Sequence, residues 1–323
     1  MTDFPWPRGS ATGIGSLPGT DIAEAQKIVL GELPDLPHLP ELPARGPGAD
    51  IIGRGAAFLV ELPVELYAAR WRVAARPGRD HRRALDLLER DLDQMTEQAG
   101  EFGGTFKVQA AGPLTLAASI DLALGGRILR DHGAVRDLSE SLAEGLRAHV
   151  ADVRRRLPAA TVLLQLDEPS LPSALAGRIA TDSGLYTYRS IESSTASSLL
   201  RTVVEAAGVP VVLHCCAPDV PLDVVRASGA AAVALDLSLL KQLDPLGEAI
   251  DAGLGLFAGS GQTTSTAVAD QVRGVWRQLG FPDQRLPDQV VVTPACGLAG
   301  SSPADARRVL TAIREASQRL QEV

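Results

Sequence analysis

Short runs of apolar and β-branched residues recur along the chain, separated by longer stretches with helical spacing. The runs cover residues 11–16, 57–62, 105–110, 161–166, 210–215, 231–236, 253–258 and 289–294. Each is nearly continuous in apolar residues, the pattern of parallel strands buried on both faces. Between them, residues 81–102 place Leu85, Leu88, Leu92 and Met95 on one helical face. Near the end, Ser302 followed by Pro303 is a helix start signal, and Val309, Leu310, Ile313 and Leu320 mark the buried stripe that follows. Further helices are expected around 138–157, 190–207, 220–227, 239–252 and 267–279. Strands and helices alternating in this way predict an α/β fold, a (β/α)8 TIM barrel, as a single domain over 1–323.

One stretch breaks the rhythm. Residues 31–50 hold Pro34, Pro37, Pro40, Pro43 and Pro47 in a near-regular Leu-Pro repeat. Proline fixes φ and has no N–H, so this segment reads as an extended loop. It is expected either as a rigid surface connector or as a lip over the barrel mouth.

Composition narrows the function. Hydrophobic residues make up 45% and charged residues 22% of the 323, a balance suited to a large globular core. A net charge of -8 offers no basic face for nucleic acid, and the arginines between Arg70 and Arg83 lie among acidic neighbours, as in a solvated helix entry. No apolar run reaches membrane-spanning length and residues 1–10 lack a signal-peptide core, so the expected location is cytoplasmic, away from membranes. Of the three cysteines, Cys215 and Cys216 are adjacent; a vicinal disulfide is strained, which favours reduced thiols.

A barrel carries its chemistry at the C-terminal ends of its strands. There the sequence puts Ile14-Gly15-Ser16, Glu61, Asp167-Glu168, His214-Cys215-Cys216, Asp236 and Cys296. Buried polar groups are costly, so so many at one rim imply a site. His214 and Cys216 stand two apart on a strand and share a face, while Cys215 faces away and packs. Cys296 ends the last strand and converges on them across the mouth. One imidazole and two thiolates select zinc, and such a ligand set favours activating a thiol for alkylation over activating water. Asp167 suits recognition of an amino group, with Glu168 holding the backbone of the following loop. Glu61 reads as a second amine or thiol-proton partner, or as an ion pair with Arg70 or Arg72. Ser16 and the N–H groups around Gly15 suit a carboxylate. Together they outline a pocket for an α-amino acid with a thiol tail.

These pieces, in order, resemble the catalytic C-terminal barrel of cobalamin-independent methionine synthase in its single-domain form. They are residues 12–16, Glu61 in Val60-Glu61-Leu62-Pro63, residues 166–171, His214-Cys215-Cys216, and residues 294–298. The resemblance implies zinc on His214, Cys216 and Cys296, Ile14 and Ser16 at the homocysteine carboxylate, and Glu61 and Asp167 at its amino group. A strand-six glutamate completes the family's zinc site; Asp236, one methylene shorter, is the match here. The family's seventh-strand loop carries an Asp and a His that Ala258-Gly259-Ser260-Gly261-Gln262 lacks. That small loop leaves room for a large donor or offers N–H groups to a phosphate.

The function expected is therefore zinc-dependent methylation of homocysteine to methionine, from a methylated corrinoid protein or a methylfolate. Two alternatives stand beside it: a related zinc alkyltransferase acting on another thiol, and a non-enzymatic protein that binds zinc or homocysteine.

Overall fold

A computed structural model describes residues 4–322. Its centre is a six-stranded parallel sheet in sequential order: β3 (Thr105–Ala111), β4 (Thr161–Asp167), β5 (Val211–Cys215), β6 (Ala232–Asp236), β7 (Gly255–Ser260) and β8 (Val290–Pro294). A short antiparallel hairpin, β1 (Val64–Tyr67) and β2 (Arg70–Val73), stands apart from it. The helices are α1 (Ile22–Glu32), α2 (Ile51–Ala57), α3 (Arg79–Ala99), α4 (Pro113–Ser119), α5 (His132–Arg156), α6 (Leu171–Leu175), α7 (Ser193–Ala207), α8 (Leu222–Ala227), α9 (Asp244–Asp251), α10 (Ser265–Gln278), α11 (Leu286–Gln289) and α12 (Pro303–Gln321). Among the described residues no helix is long and apolar enough to cross a membrane.

Six of the eight expected strands are present within two residues of their predicted bounds. Every position of β3 and β8 is buried, which is why their sequences do not alternate. The cap expected before the last helix is there: Ser302 accepts from Asp305 N at 3.2 Å, with Pro303 opening α12.

The first two expected strands came out differently. Residues 57–62 are not a strand but the end of α2 and the bend after it. Asp50 caps that helix by accepting from Gly53 N at 2.7 Å, and Ala56 to Leu59 are buried as its last turn. A short apolar run has no periodicity to separate strand from helix, and here the cap decides. Residues 10–12 do pair in parallel with β8, with Thr12 N donating to Val292 O at 3.0 Å and Val292 N to Ser10 O at 3.1 Å.

The place beside β3 is taken by the proline-rich segment, which is no surface connector; its later residues Glu41, Pro43, Ala49 and Asp50 line a cavity at the ends of the strands. Leu33, Leu36, Leu39 and Leu42 are all buried at 0–1% exposure. Lys107 N donates to Pro37 O at 2.9 Å and Leu39 N to Lys107 O at 3.0 Å, while Glu41 N reaches Gly15 O at 3.1 Å and Leu17 N reaches Glu41 O at 2.9 Å. Pro40, which has no N–H to offer, falls between the two donors, so the repeat costs no bond. Residues 10–17 and 37–41 thus cover both edges of the six-stranded sheet.

Helix α5 packs His149 against the Phe58 ring, 4.7 Å between centroids. Burial pushes this imidazole down to about 4. Below pH 6.5 the unfolded chain gains a proton that the folded one refuses until about pH 4. Stability present at neutral pH is therefore lost as pH falls through that window, by about 1.4 kcal/mol per pH unit for this group. Melting temperature should fall more steeply between pH 6.5 and 4.5 in the wild type than in His149→Gln; parallel profiles would refute this.

Candidate metal centre

The ends of β5 and β8 converge. The ligand atoms of His214, Cys216 and Cys296 lie within 4.8 Å of one another, and the two Sγ atoms are 3.1 Å apart. His214 is buried, Cys216 half-buried and Cys296 exposed, so the cluster opens outward. His214 Nδ1 is buried without a hydrogen-bond partner. The hydrogen bond between Cys296 and Cys216, and then His214, hold the Cys296 thiol down to about 4; the same sulfur contact pushes Cys216 upward. Cys215 faces the other way and is buried, its thiol pushed up to about 12 by that burial. One imidazole and two sulfurs at this spacing, with a ring nitrogen left unpaired, fit a soft divalent cation such as zinc.

Asp236 does not join this cluster. Its Oδ1 accepts from Ser238 N at 2.8 Å and from Ser238 Oγ at 2.7 Å, capping the turn after β6, and it lines a separate cavity with Asp219 and Lys241. Aspartate is short enough to bond its own backbone two residues on, and that local bond occupies the carboxylate outside the cluster.

A cavity of about 380 Å³ lies over the cluster, lined by Ile14, Gly15, Ser16, Glu41 and Asp167 besides the three metal-ligand candidates. Ser16 can face it because the neighbour is Gly297, where a Cβ would come within 2.1 Å of Ser16 Oγ. Asp167 accepts from Gln165 Nε2 at 2.7 Å. Burial, helped by Glu41, pushes its carboxyl up to about 7 against the pull of His214 and Lys107.

Glu41 is the residue that sequence reasoning missed. It is 7% exposed and accepts from Arg54 Nε at 3.2 Å. Arg54 is held in turn by Asp91 at 2.5 Å, and Asp91 takes two bonds from Arg45 at 2.7 and 2.8 Å. The signal available was weak: one of four carboxylates, with Glu32, Asp35 and Asp50, in a Leu-Pro segment whose composition reads as loop. Glu61, the expected partner of Asp167, sits outside the cavity: exposed, in the bend after α2, with φ of +55°. It makes no ion pair with Arg70 or Arg72, which bond Asp121 and Asp182, and Glu65. Glu168 holds the start of α4, not the loop after it, accepting from Leu114 N, Thr115 N and Thr115 Oγ1 at 2.9, 2.8 and 2.7 Å. In the seventh-strand loop Ser260 Oγ bonds Gln271 Oε1 at 2.6 Å and accepts from Gln262 N at 3.2 Å.

No curated protein matches the chain by sequence. Among solved structures it is similar to a B12-independent methionine synthase from Shewanella sp. W3-18-1 in complex with selenomethionine, with a TM-score of 0.60 at 13% identity over 98% of both chains. A psychrophilic glycoside hydrolase family 10 endo-β-1,4-xylanase aligns at a TM-score of 0.43 and 9% identity, over 90% of this chain and 86% of that one. The family model of the cobalamin-independent synthase catalytic domain matches residues 10–319. The chain therefore belongs to the cobalamin-independent synthase catalytic-domain family, the methyltransferases of methionine biosynthesis.

Proposed function

We propose that the protein binds zinc through His214, Cys216 and Cys296 and methylates homocysteine to methionine. The observation that carries this is a single cavity holding those three donors together with three carboxylates, Glu41, Asp167 and the helix-capping Asp50, and the Ile14–Gly15–Ser16 turn. His214, Cys216 and Cys296 would hold the zinc, which when bound would supply the Lewis acidity that lowers the pKa of a substrate thiol.

The chain's own groups do the rest. Glu41 and Asp167 take the substrate ammonium, and Glu41, not Glu61, is the second carboxylate. The turn at Gly15 and Ser16 takes the substrate carboxylate. Held between them, the sulfur attacks the methyl carbon of the donor; the S–C bond forms as the donor's bond to that carbon breaks, its electron pair leaving with the donor. Asp236 stays with Ser238 and outside the metal's ligand set. We further read residues 10–17 and 37–41 as the first two strands of a closed (β/α)8 barrel forming one domain. The selenomethionine in the Shewanella enzyme, a selenium analogue of the expected product, accords with this substrate.

The test is methionine formation by purified, zinc-loaded protein from homocysteine, with methylcobalamin and methylfolate supplied in parallel. Turnover with either supports the reading and identifies the donor class. Glu41→Gln should then raise KM for homocysteine about tenfold or more, the worth of a hydrogen bond to a charged group, while Glu61→Gln leaves it unchanged. Equal affinity for thiols lacking the amino group would move the reading to another thiol substrate. Homocysteine binding without turnover from either donor would leave a binding protein.

A further inference from the structure

Lys107 lies in the middle of β3, wholly buried, where an apolar side chain would cost less. All three of its donor positions are used. Nζ donates to Gln165 Oε1 at 2.8 Å, to Ile14 O at 2.9 Å and to Gln109 Oε1 at 3.4 Å. The two glutamines pass the order on. Gln165 Nε2 donates to Ile14 O at 2.9 Å and to Asp167 Oδ1 at 2.7 Å, and Gln109 Nε2 donates to Leu39 O at 2.6 Å, two residues before Glu41.

The sheet register makes this chain possible. Gln109 pairs with Gln165, Ala111 with Asp167, and Asp167 with His214. Lys107 and Gln109, Gln165 and Asp167, and His214 therefore all project on one face, in ascending layers toward the cavity. An ammonium can only donate. Gln165 must then turn its carbonyl oxygen down to Lys107 and its NH2 up to Asp167. That occupies Asp167 Oδ1 as an acceptor and leaves Oδ2 to accept from a ligand. The Ile14 carbonyl and the Asp167 carboxylate only accept, so they call for the same orientation and all three partners agree on it. Lys107 thus anchors Gln165 from below, and it fixes the Ile14 carbonyl that begins the Ile14–Ser16 turn.

We infer that Lys107 is a positioning residue that gives the pocket its selectivity for a thiol carrying an α-ammonium group, acting through Gln165 on Asp167 and through Ile14 on the carboxylate-binding turn. This rests on the proposed function. The attraction of Asp167 and Glu41 supports it, since both oppose the burial that pulls the Lys107 ammonium down to about 8.

The experiment compares binding of homocysteine with that of 4-mercaptobutanoate, the same thiol without its amino group, by calorimetry on zinc-loaded protein. Wild type should prefer homocysteine by about tenfold or more. In Lys107→Met and in Gln165→Met the preference should fall at least about tenfold, with zinc kept at about one per chain. Damage to the fold alone would lower zinc content and both affinities together, leaving the ratio unchanged. A zinc-loaded variant that discriminates like wild type overturns the inference and leaves the proposed function standing. Should Lys107→Met not fold, Gln165→Met decides, since it cuts the link to Asp167 and leaves the lysine in place. If wild type itself shows no preference for homocysteine, the proposed function fails, and this inference with it.

Discussion

Cys296→Ser is expected to abolish stable zinc binding and to lower methyl transfer by on the order of 1,000-fold, about 4 kcal/mol. Cys296 is one of only two sulfurs in a three-donor set, its Sγ 3.1 Å from that of Cys216. The hydrogen bond with Cys216, and then His214, pull its thiol down to about 4. A serine hydroxyl does not ionise in that range and is a harder donor, so the site loses both charge and softness. Zinc per chain after dialysis against a mild chelator reads the first effect, and methionine formation the second. Two controls sharpen the result. Cys215→Ala should keep its zinc because that thiol faces the core, and Asp236→Ala should keep it because that carboxylate serves Ser238. Stoichiometric zinc and full turnover in Cys296→Ser would end the proposal; zinc loss in Asp236→Ala would restore Asp236 to the ligand set.

Gly145→Ala should destabilise the protein by about 3 kcal/mol or more, although alanine is the better helix former by about 1 kcal/mol. Gly145 lies within α5, and a Cβ there would stand 1.6 Å from Phe58 O and 2.7 Å from Phe58 C. Those are backbone atoms in the turn after α2 and cannot swing aside. The helix must move off, opening the layer where His149 meets Phe58. Gly274→Ala in α10 is the matched control, because nothing lies within 4 Å of its added methyl. There the helix propensity is unopposed, and stability should rise by about 0.5–1 kcal/mol. Thermal melts of the two variants should therefore shift in opposite directions. A Gly145→Ala protein as stable as wild type would show that α5 and the turn do not meet this closely.

The site was legible in the sequence where its residues ride on long, doubly buried strands. His214, Cys216, Asp167 and Cys296 stand at or just past the ends of nearly continuous apolar runs that are strands in the sheet, and the cavity holds all four. It was illegible at Glu61 and Glu41. The run 57–62 has strand composition, but Asp50 starts a helix ahead of it and carries Glu61 to an exposed bend. The Leu-Pro segment has the composition of a connector, yet the tertiary bonds of Leu39 and Glu41 make it a sheet neighbour. Local propensity could not report the second outcome, because it depends on the distant partners Lys107 and Gly15; the first turned on a cap three residues from its donor, ahead of the run itself. The turning of Asp236 toward Ser238 was local in principle: the Asp-x-Ser spacing offers the short bond that wins.

The wall that carries Glu41 is attached unlike its neighbours. β4 to β8 are locked by continuous parallel ladders, whereas residues 37–41 offer two backbone donors, from Leu39 and Glu41, and rely on leucines sunk every third residue. Each buried leucine is worth about 1.5–3 kcal/mol wherever the backbone between anchors runs. Such a panel is held by packing and by the buried Glu41–Arg54 ion pair more than by a ladder. A change between its anchors is therefore felt at Glu41 and in the cavity before it reaches the strands that carry His214, Cys216 and Cys296.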